Sequence, residues 1–227
     1  MTSAESSRLL RRIGIQVIAK APVAGLAKTR LIPALGAHGA AALAKKMLVR
    51  MLGHCEIAVE DSEHNYQFFV NLWMTPAPDS PSWRDIVIPS CVELHGQCSG
   101  DLGERMSFAV RHGLANVDAV LVIGSDCLEI DVEVLHWAAS ALKEHDACLV
   151  PCVDGGYALL GMRHFRPEVF HNISWSSASV ADQTRQRLDQ CGMSYIERHV
   201  VRDIDDAEDL AYLPPEWPEY DARSPDA

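Results

Sequence analysis

The chain has 227 residues, 48% of them hydrophobic and 22% charged, an ordinary globular composition whose length predicts one domain rather than two. A formal charge of -11 and a pI near 5.3 argue against a protein that wraps nucleic acid, because neutralising a phosphate backbone needs a basic face. No apolar run approaches the roughly 20 residues that span a bilayer, and Met1 to Arg12 lacks an apolar stretch before Arg11-Arg12, so the sequence predicts no membrane partner and a cytoplasmic location.

Ile13 to Ala19 is a short β-branched apolar run that predicts a buried first strand, ended by the basic, Pro- and Gly-containing segment Lys20 to Leu31. Gly39 to Leu52 has apolar residues at helical spacing, with Lys45, Lys46 and Arg50 on the other side. Tyr66 to Trp73 predicts a second strand, Thr75 to Ser82 a proline-rich surface loop, Val92 to His95 a short strand and Asp101 to Leu114 a helix. Ala119 to Ile123 is wholly apolar, the pattern of a strand buried on both faces, and it delivers Asp126 at its carboxyl end. A helix over Val132 to His145 and a strand over Ala147 to Val150 continue the alternation of a parallel sheet. Tyr157 to Met162 reads as a strand, Ser179 to Cys191 as a helix and Met193 to Val201 as extended. Glu208 to Leu213 allows one or two helical turns before Pro214-Pro215.

The predicted architecture is a three-layer α/β/α sandwich with a mostly parallel central sheet. The sequence divides into an N-terminal extension (1–12), one domain (13–213) and a Pro-rich acidic tail (214–227) expected to be loosely ordered. Seven cysteines without any C-x-x-C pair read as buried reduced thiols; Cys148 and Cys152 lie four apart, but four zinc ligands at recognisable spacing are absent.

Lys20, Lys28 and Arg30 place three cations on the loop after the first strand of an acidic protein, where free backbone N–H groups and Gly25 suit an anion. Charge alone is equally consistent with a solvated basic loop, and the segment is neither a P-loop nor a dinucleotide fingerprint. Asp126 can bind Mg2+ that bridges phosphates, or can cap a turn. Asp154-Gly155-Gly156-Tyr157 offers a carboxylate beside glycines that let a ligand lie on the backbone; a plain Asp-Gly hairpin turn fits the same residues. Asp206 and Asp209 have the spacing of a helix start.

Lys20-Ala21-Pro22-Val23-Ala24-Gly25-Leu26-Ala27-Lys28-Thr29-Arg30-Leu31 resembles the K-A-P-x-x-G-x-x-K-T-R-L signature of the DUF2064 family, also described as rSAM/selenodomain-associated transferase 1, within the GT-A nucleotide-diphospho-sugar transferase superfamily. Four further segments match in order: Gly100 to Met106, Ile123 to Cys127, Asp154 to Tyr157 and Asp203 to Leu210, so the resemblance runs from about Ile13 to Leu213. Ala24 stands where the loop usually has Pro, and Leu128 where Pro often follows the Ser-Asp-Cys triplet; both affect turn stiffness rather than charge.

The resemblance implies a GT-A, Rossmann-like fold and a nucleotide site built from Lys20, Gly25, Lys28, Thr29 and Arg30. Gln97, Gly100, Asp101 and Arg105 would face the nucleobase and phosphates, although Asp101 and Glu104 equally suit the start of a helix. It implies Mg2+ or Mn2+ held by Asp126 and Asp205, with Asp203 as a further neighbouring carboxylate. Asp154, Gly155, Gly156, Tyr157 and Trp175 would line the acceptor or sugar half. Lys28, Asp126 and Asp154 are then the expected catalytic residues. Three functions follow: glycosyl transfer from a nucleotide sugar to a small-molecule acceptor, nucleotidyl transfer from a nucleoside triphosphate to an anionic acceptor, or nucleotide binding without catalysis. The loop's three cations suit a triphosphate, and its Ala-Lys-Thr-Arg-Leu run is similar to a segment of phospholactate guanylyltransferases; the family's description favours a glycosyl donor.

Overall fold

The computed structural model describes residues 12–220. Strands β1 (Arg12–Lys20), β2 (Gln67–Thr75), β3 (Val92–Gly96), β4 (Ala119–Ile123), β5 (Ala147–Pro151), β6 (Tyr157–Met162) and β7 (Tyr195–Glu197) form one sheet in the order β3-β2-β1-β4-β6-β5-β7. The β1–β2, β1–β4, β2–β3 and β5–β7 pairs are parallel, and β6 runs antiparallel to both β4 and β5. The sheet is therefore mostly parallel, with its one reversed strand supplied by the tight turn after β5.

Helices cover both faces. Against one face, α1 (Ile32–Glu60) and α3 (Val132–Ala141) pack Leu48, Leu52, Leu135 and Ala138 onto Ile13, Ile15, Val17, Leu121 and Ile123. Against the other, α2 (Leu102–Leu114) and α4 (Val180–Gln190) pack Met106, Val110 and Leu188 onto Val120, Val122, Leu149 and Leu160. All five residues of β4 are buried and alternate between the two cores, which is why that strand reads as continuously apolar. The protein is a three-layer sandwich with a Rossmann-like sheet. Among the described residues, no helix is long and apolar enough to cross a membrane.

The helix expected over Gly39 to Leu52 extends in both directions, because nothing in Gly53 to Glu60 breaks it and Pro33 is tolerated in a first turn. It is kinked at Gly36, whose φ of 70° lies outside helical space. Helix α2 opens with a reciprocal cap: Asp101 Oδ1 accepts from the Glu104 N–H at 2.9 Å, and Glu104 Oε2 accepts from the Asp101 N–H at 2.8 Å.

The expectation of a loose tail is overturned for residues 214–220. Trp217 and Tyr220 are buried against Leu31, Leu43, Met47, Ile204 and Leu210, and the Lys46 ammonium lies 4.6 Å from the Trp217 ring centroid while pairing with Glu219. Apolar aromatics set among prolines were enough to anchor a segment whose composition otherwise reads as solvated. The rest of the tail, 221–227, and residues 1–11 of the N-terminal extension lie outside the described residues. Because Trp217 is 7% exposed, Trp217→Ala is expected to lower unfolding free energy by about 3 kcal/mol, measured by urea titration; an unchanged midpoint would show that this clasp does not form.

Candidate functional site

The carboxyl ends of β1, β2, β4 and β5 open onto a cleft of about 790 Å3. Its lining includes Lys20, Lys28, Thr29, Arg30, Gln97, Arg105, Asp126, Asp154, Gly156, Tyr157, Trp175 and Asp205, which the sequence had singled out from separate segments. Gly25, Gly100, Asp101 and Gly155 are not part of that lining.

The basic loop leaves β1 at Lys20 and folds back on itself, with the N–H groups of Leu26 and Ala27 donating to the Val23 carbonyl and the Lys20 ammonium donating to the Leu26 carbonyl at 2.8 Å. Lys28 then adopts a left-handed conformation, φ 45° and ψ 49°, unusual for a residue with a side chain. That turn drives its side chain inward, where only 7% of it is exposed. Its ammonium sits 2.6 Å from Asp205 Oδ1 and 3.1 Å from Asp126 Oδ2. Burial opposes the charge, but Asp126 and then Asp205 outweigh it and hold the Lys28 pKa above its ordinary value. The loop is thus more than a row of solvated cations: Lys28 spends its charge inside the protein, while Thr29 and Arg30 remain exposed on the cleft wall.

Two backbone contacts bring Asp126 and Asp205 together. The segment after β4 pairs with the segment before Asp205 through an antiparallel Cys127–Asp203 bridge, and the Ile204 N–H donates to the Asp126 carbonyl at 3.0 Å. Asp209 then fixes the approach, since its carboxylate accepts from the N–H groups of Asp205 (3.0 Å) and Asp206 (2.9 Å) and is itself paired with Arg202 at 3.0 Å. The helical-start spacing seen in the sequence is real, with Asp209 reaching back along the chain.

Asp203 stands on the same wall. Burial, followed by the charges of Asp154 and Asp205, pushes its carboxyl up to about 6. Cys152, Asp154 and Asp203 each bring a ligand-capable atom within 4.8 Å of the others. Cys152 had drawn notice only for its four-residue spacing from Cys148, and Asp203 as a further carboxylate beside the expected ligand Asp205.

Asp154-Gly155, next to Asp203, is indeed a hairpin turn joining β5 to β6: the Cys152 N–H donates to the Gly156 carbonyl, and Asp154 Oδ1 accepts from the Gly156 N–H at 2.8 Å. Gly155 has φ 89°, and a Cβ there would come within 2.0 Å of the Ala178 carbonyl oxygen, so the turn and the 174–179 loop are locked together. Trp175 lies flush on α2, where a Cβ at Gly103 would be 2.5 Å from its indole nitrogen. Tyr157 reaches Met106 Sδ at 3.8 Å, and burial raises its phenol pKa.

Gln97 braces the cleft floor, its amide donating to the carbonyls of Ala19 and Trp73 at 2.9 Å each and its oxygen accepting from Arg105 at 3.1 Å. Arg105 also donates to the Gly100 carbonyl at 3.1 Å. Of the two roles the sequence left open for Asp101, the structure shows the helix start: its carboxylate caps α2.

The sequence model of the family described as "Uncharacterized protein conserved in bacteria (DUF2064)" matches residues 59–177, which include the Gly100, Ser125-Asp126 and Asp154 motifs. Among solved structures, the chain is similar to a protein from Desulfovibrio desulfuricans G20 assigned as a nucleotide-diphospho-sugar transferase, with 27% identity, a TM-score of 0.78, and coverage of 90% of this chain and 87% of that one. It shares its fold with the 4-diphosphocytidyl-2C-methyl-D-erythritol synthase of Anaerococcus prevotii DSM 20548, at 11% identity and TM-score 0.52 over 89% of this chain and 96% of that one. It also shares it with the glucosyl-3-phosphoglycerate synthase of Mycobacterium tuberculosis, solved with Mn2+, UDP and glucosyl-3-phosphoglycerate, at 11% identity and TM-score 0.53 over 89% and 75% of the two chains. No match emerges among curated proteins. With the family model covering more than half of its length and the five motifs converging on one cleft, this chain belongs to the DUF2064 family.

Proposed function

We propose that this protein is a divalent-metal-dependent transferase that moves a sugar from a nucleotide-diphosphate donor to a hydroxyl of a small acceptor. The observation that carries the proposal is the Asp126–Lys28–Asp205 bridge, set in a cleft that also presents Lys20, Arg30, Arg105 and Asp154. The donor set fits a hard cation. Asp126 and Asp205 offer only oxygen, are 51% and 38% exposed, and together exceed the single charge of Lys28, while Mg2+ or Mn2+ asks for one or two protein carboxylates and completes its shell with phosphate oxygens and water. When bound there, such an ion supplies charge neutralisation to the departing diphosphate.

The protein's own groups do the rest. Lys28 holds the two carboxylates close together before any ligand arrives. Arg30, Lys20 and Arg105 provide charge-assisted donors for the phosphate oxygens. Trp175 and Tyr157 offer a flat wall for the sugar. Asp154, oriented by the Gly156 N–H, accepts the acceptor's hydroxyl proton as its oxygen bonds to the anomeric carbon; the bond from that carbon to the diphosphate breaks, and nucleoside diphosphate leaves with the electron pair. The cluster Lys20, Arg30 and Arg105 favours a second reading, in which the higher charge of a triphosphate is held and an anionic acceptor displaces pyrophosphate.

Incubation with a panel of nucleoside triphosphates and nucleotide sugars, with Mg2+ or Mn2+ and small acceptors, separates these readings. Nucleoside diphosphate release is expected and should stop with EDTA. Pyrophosphate release with an anionic acceptor would establish nucleotidyl transfer instead, and saturable binding without turnover would leave a nucleotide-binding protein. Asp126→Asn and Asp205→Asn should each reduce turnover by at least about 100-fold with an unchanged far-UV spectrum; near-wild-type rates in either would remove it from the site. Arg30→Ala should weaken nucleotide binding by about tenfold, as expected for one charge-assisted hydrogen bond.

Lys28→Met leaves two half-exposed carboxylates facing each other and should cost about 1–2 kcal/mol in metal-free buffer. Its melting temperature should then rise more with added Mn2+ than that of the wild type. A variant as stable as wild type, with no extra response to Mn2+, would show that the bridge organises nothing.

A further inference from the structure

At the end of β2 remote from the cleft, Asp61, His64 and His136 converge. Asp61 caps the C-terminus of α1, His64 lies in the turn leading into β2, and His136 belongs to α3. The cleft takes Thr75 from the last residue of β2, whereas these groups gather before its first, Gln67, which is on the order of 25 Å away by strand rise.

Each of the three residues brings a ligand-capable atom within 4.8 Å of the others. Asp61 Oδ2 lies 3.0 Å from His136 Nε2 and 3.2 Å from His64 Nδ1. Despite that approach, His136 Nε2 is buried and makes no hydrogen bond, so the nitrogen and the carboxylate oxygen are close without being aimed at each other. Donors arranged around a shared ion have this relation: with bonds near 2.0 Å on a tetrahedral centre, neighbouring ligand atoms stand roughly 3.3 Å apart.

The surrounding contacts fix the ligand atoms. Asp61 Oδ1 accepts from the Glu63 N–H at 2.8 Å, which leaves Oδ2 for the histidines. Nδ1 of His136 is 2.9 Å from the Tyr66 hydroxyl, which donates to the His136 carbonyl at 3.5 Å. Tyr66 thus anchors the Nδ1 edge of His136 and leaves Nε2 facing Asp61. The His64 ring rests on that of His136, with centroids 4.1 Å apart and planes 16° apart; its exposed position lets it turn to bring Nδ1 into line, while Tyr66 holds His136 in place.

We propose that Asp61, His64 and His136 form a site for zinc or a similar nitrogen-preferring divalent ion, completed by water. The site clips the end of α1 and the following turn to α3, and it is independent of the cleft.

The test uses untagged full-length protein, stripped with EDTA, dialysed and titrated with ZnCl2 by calorimetry and thermal melting. An Asp126→Asn background removes one of the cleft's carboxylates, and the substitutions at Asp61, His64 and His136 separate this site from the cleft groups that remain. One equivalent of Zn2+ should bind in that background and raise the melting temperature, Co2+ should give the visible absorption of a four-coordinate site, and MgCl2 should do neither. His64→Ala, a change at an exposed turn residue, should weaken Zn2+ binding at least about tenfold, and the volume-conserving His136→Gln should do the same. The proposal is overturned if the Asp126→Asn protein binds no stoichiometric Zn2+, or if His64→Ala and Asp61→Asn bind it as tightly as their parent.

Discussion

The buried ammonium of Lys28, held between Asp126 and Asp205, joins three parts of the chain: the loop after β1, the end of β4 and the segment before the last acidic turn. Two carboxylates at this spacing repel each other, and the lysine replaces that repulsion with two attractions while remaining almost wholly shielded from water. The cost falls on the backbone of Lys28, which sits in the left-handed region, and on the desolvation of its charge. Neighbouring contacts offset that cost by keeping both acids where the lysine needs them, through Asp209 and Arg202 behind Asp205 and the Ile204 N–H behind Asp126.

Close approach is the second constraint on the cleft. The hairpin turn at Asp154-Gly155 and the 174–179 loop are pressed together so tightly that Gly155 has no room for a side chain, and Trp175 approaches α2 closely because Gly103 is bare. These glycine contacts hold together segments that line the cleft. The buried clasp of Trp217 and Tyr220 extends the same close packing to Leu31 and Ile204, the apolar neighbours of Arg30 and Asp205.

Much of this was legible in the residue pattern, for physical reasons. The all-apolar run of β4 declared a strand buried on both faces, the Asp101/Glu104 spacing announced the start of α2, and Asp206/Asp209 marked the acidic turn. Motif residues quoted from separate segments line one cleft because strands of a parallel sheet deliver their following loops to one end. The sequence could not distinguish a lysine that faces phosphate from one folded inward onto two aspartates, since that depends on the φ of a single residue. Nor could it show that the Gln97 amide braces β1 and β2, or that a proline-rich acidic tail is pinned by two aromatics. Asp61, His64 and His136 carried no recognisable spacing, because α3 brings the third ligand from a distant part of the chain.

The central claim is that the Asp126–Lys28–Asp205 bridge is the seat of a divalent cation and the donor's diphosphate. A crystal structure of the protein soaked with a nucleoside diphosphate and Mn2+, with data collected at the manganese absorption edge, tests it most directly. The account predicts an anomalous peak in contact with carboxylate oxygens of Asp126 and Asp205, with diphosphate oxygens on its far side beside Arg30. A nucleotide bound elsewhere, or a peak in the cleft that touches neither aspartate, would contradict it.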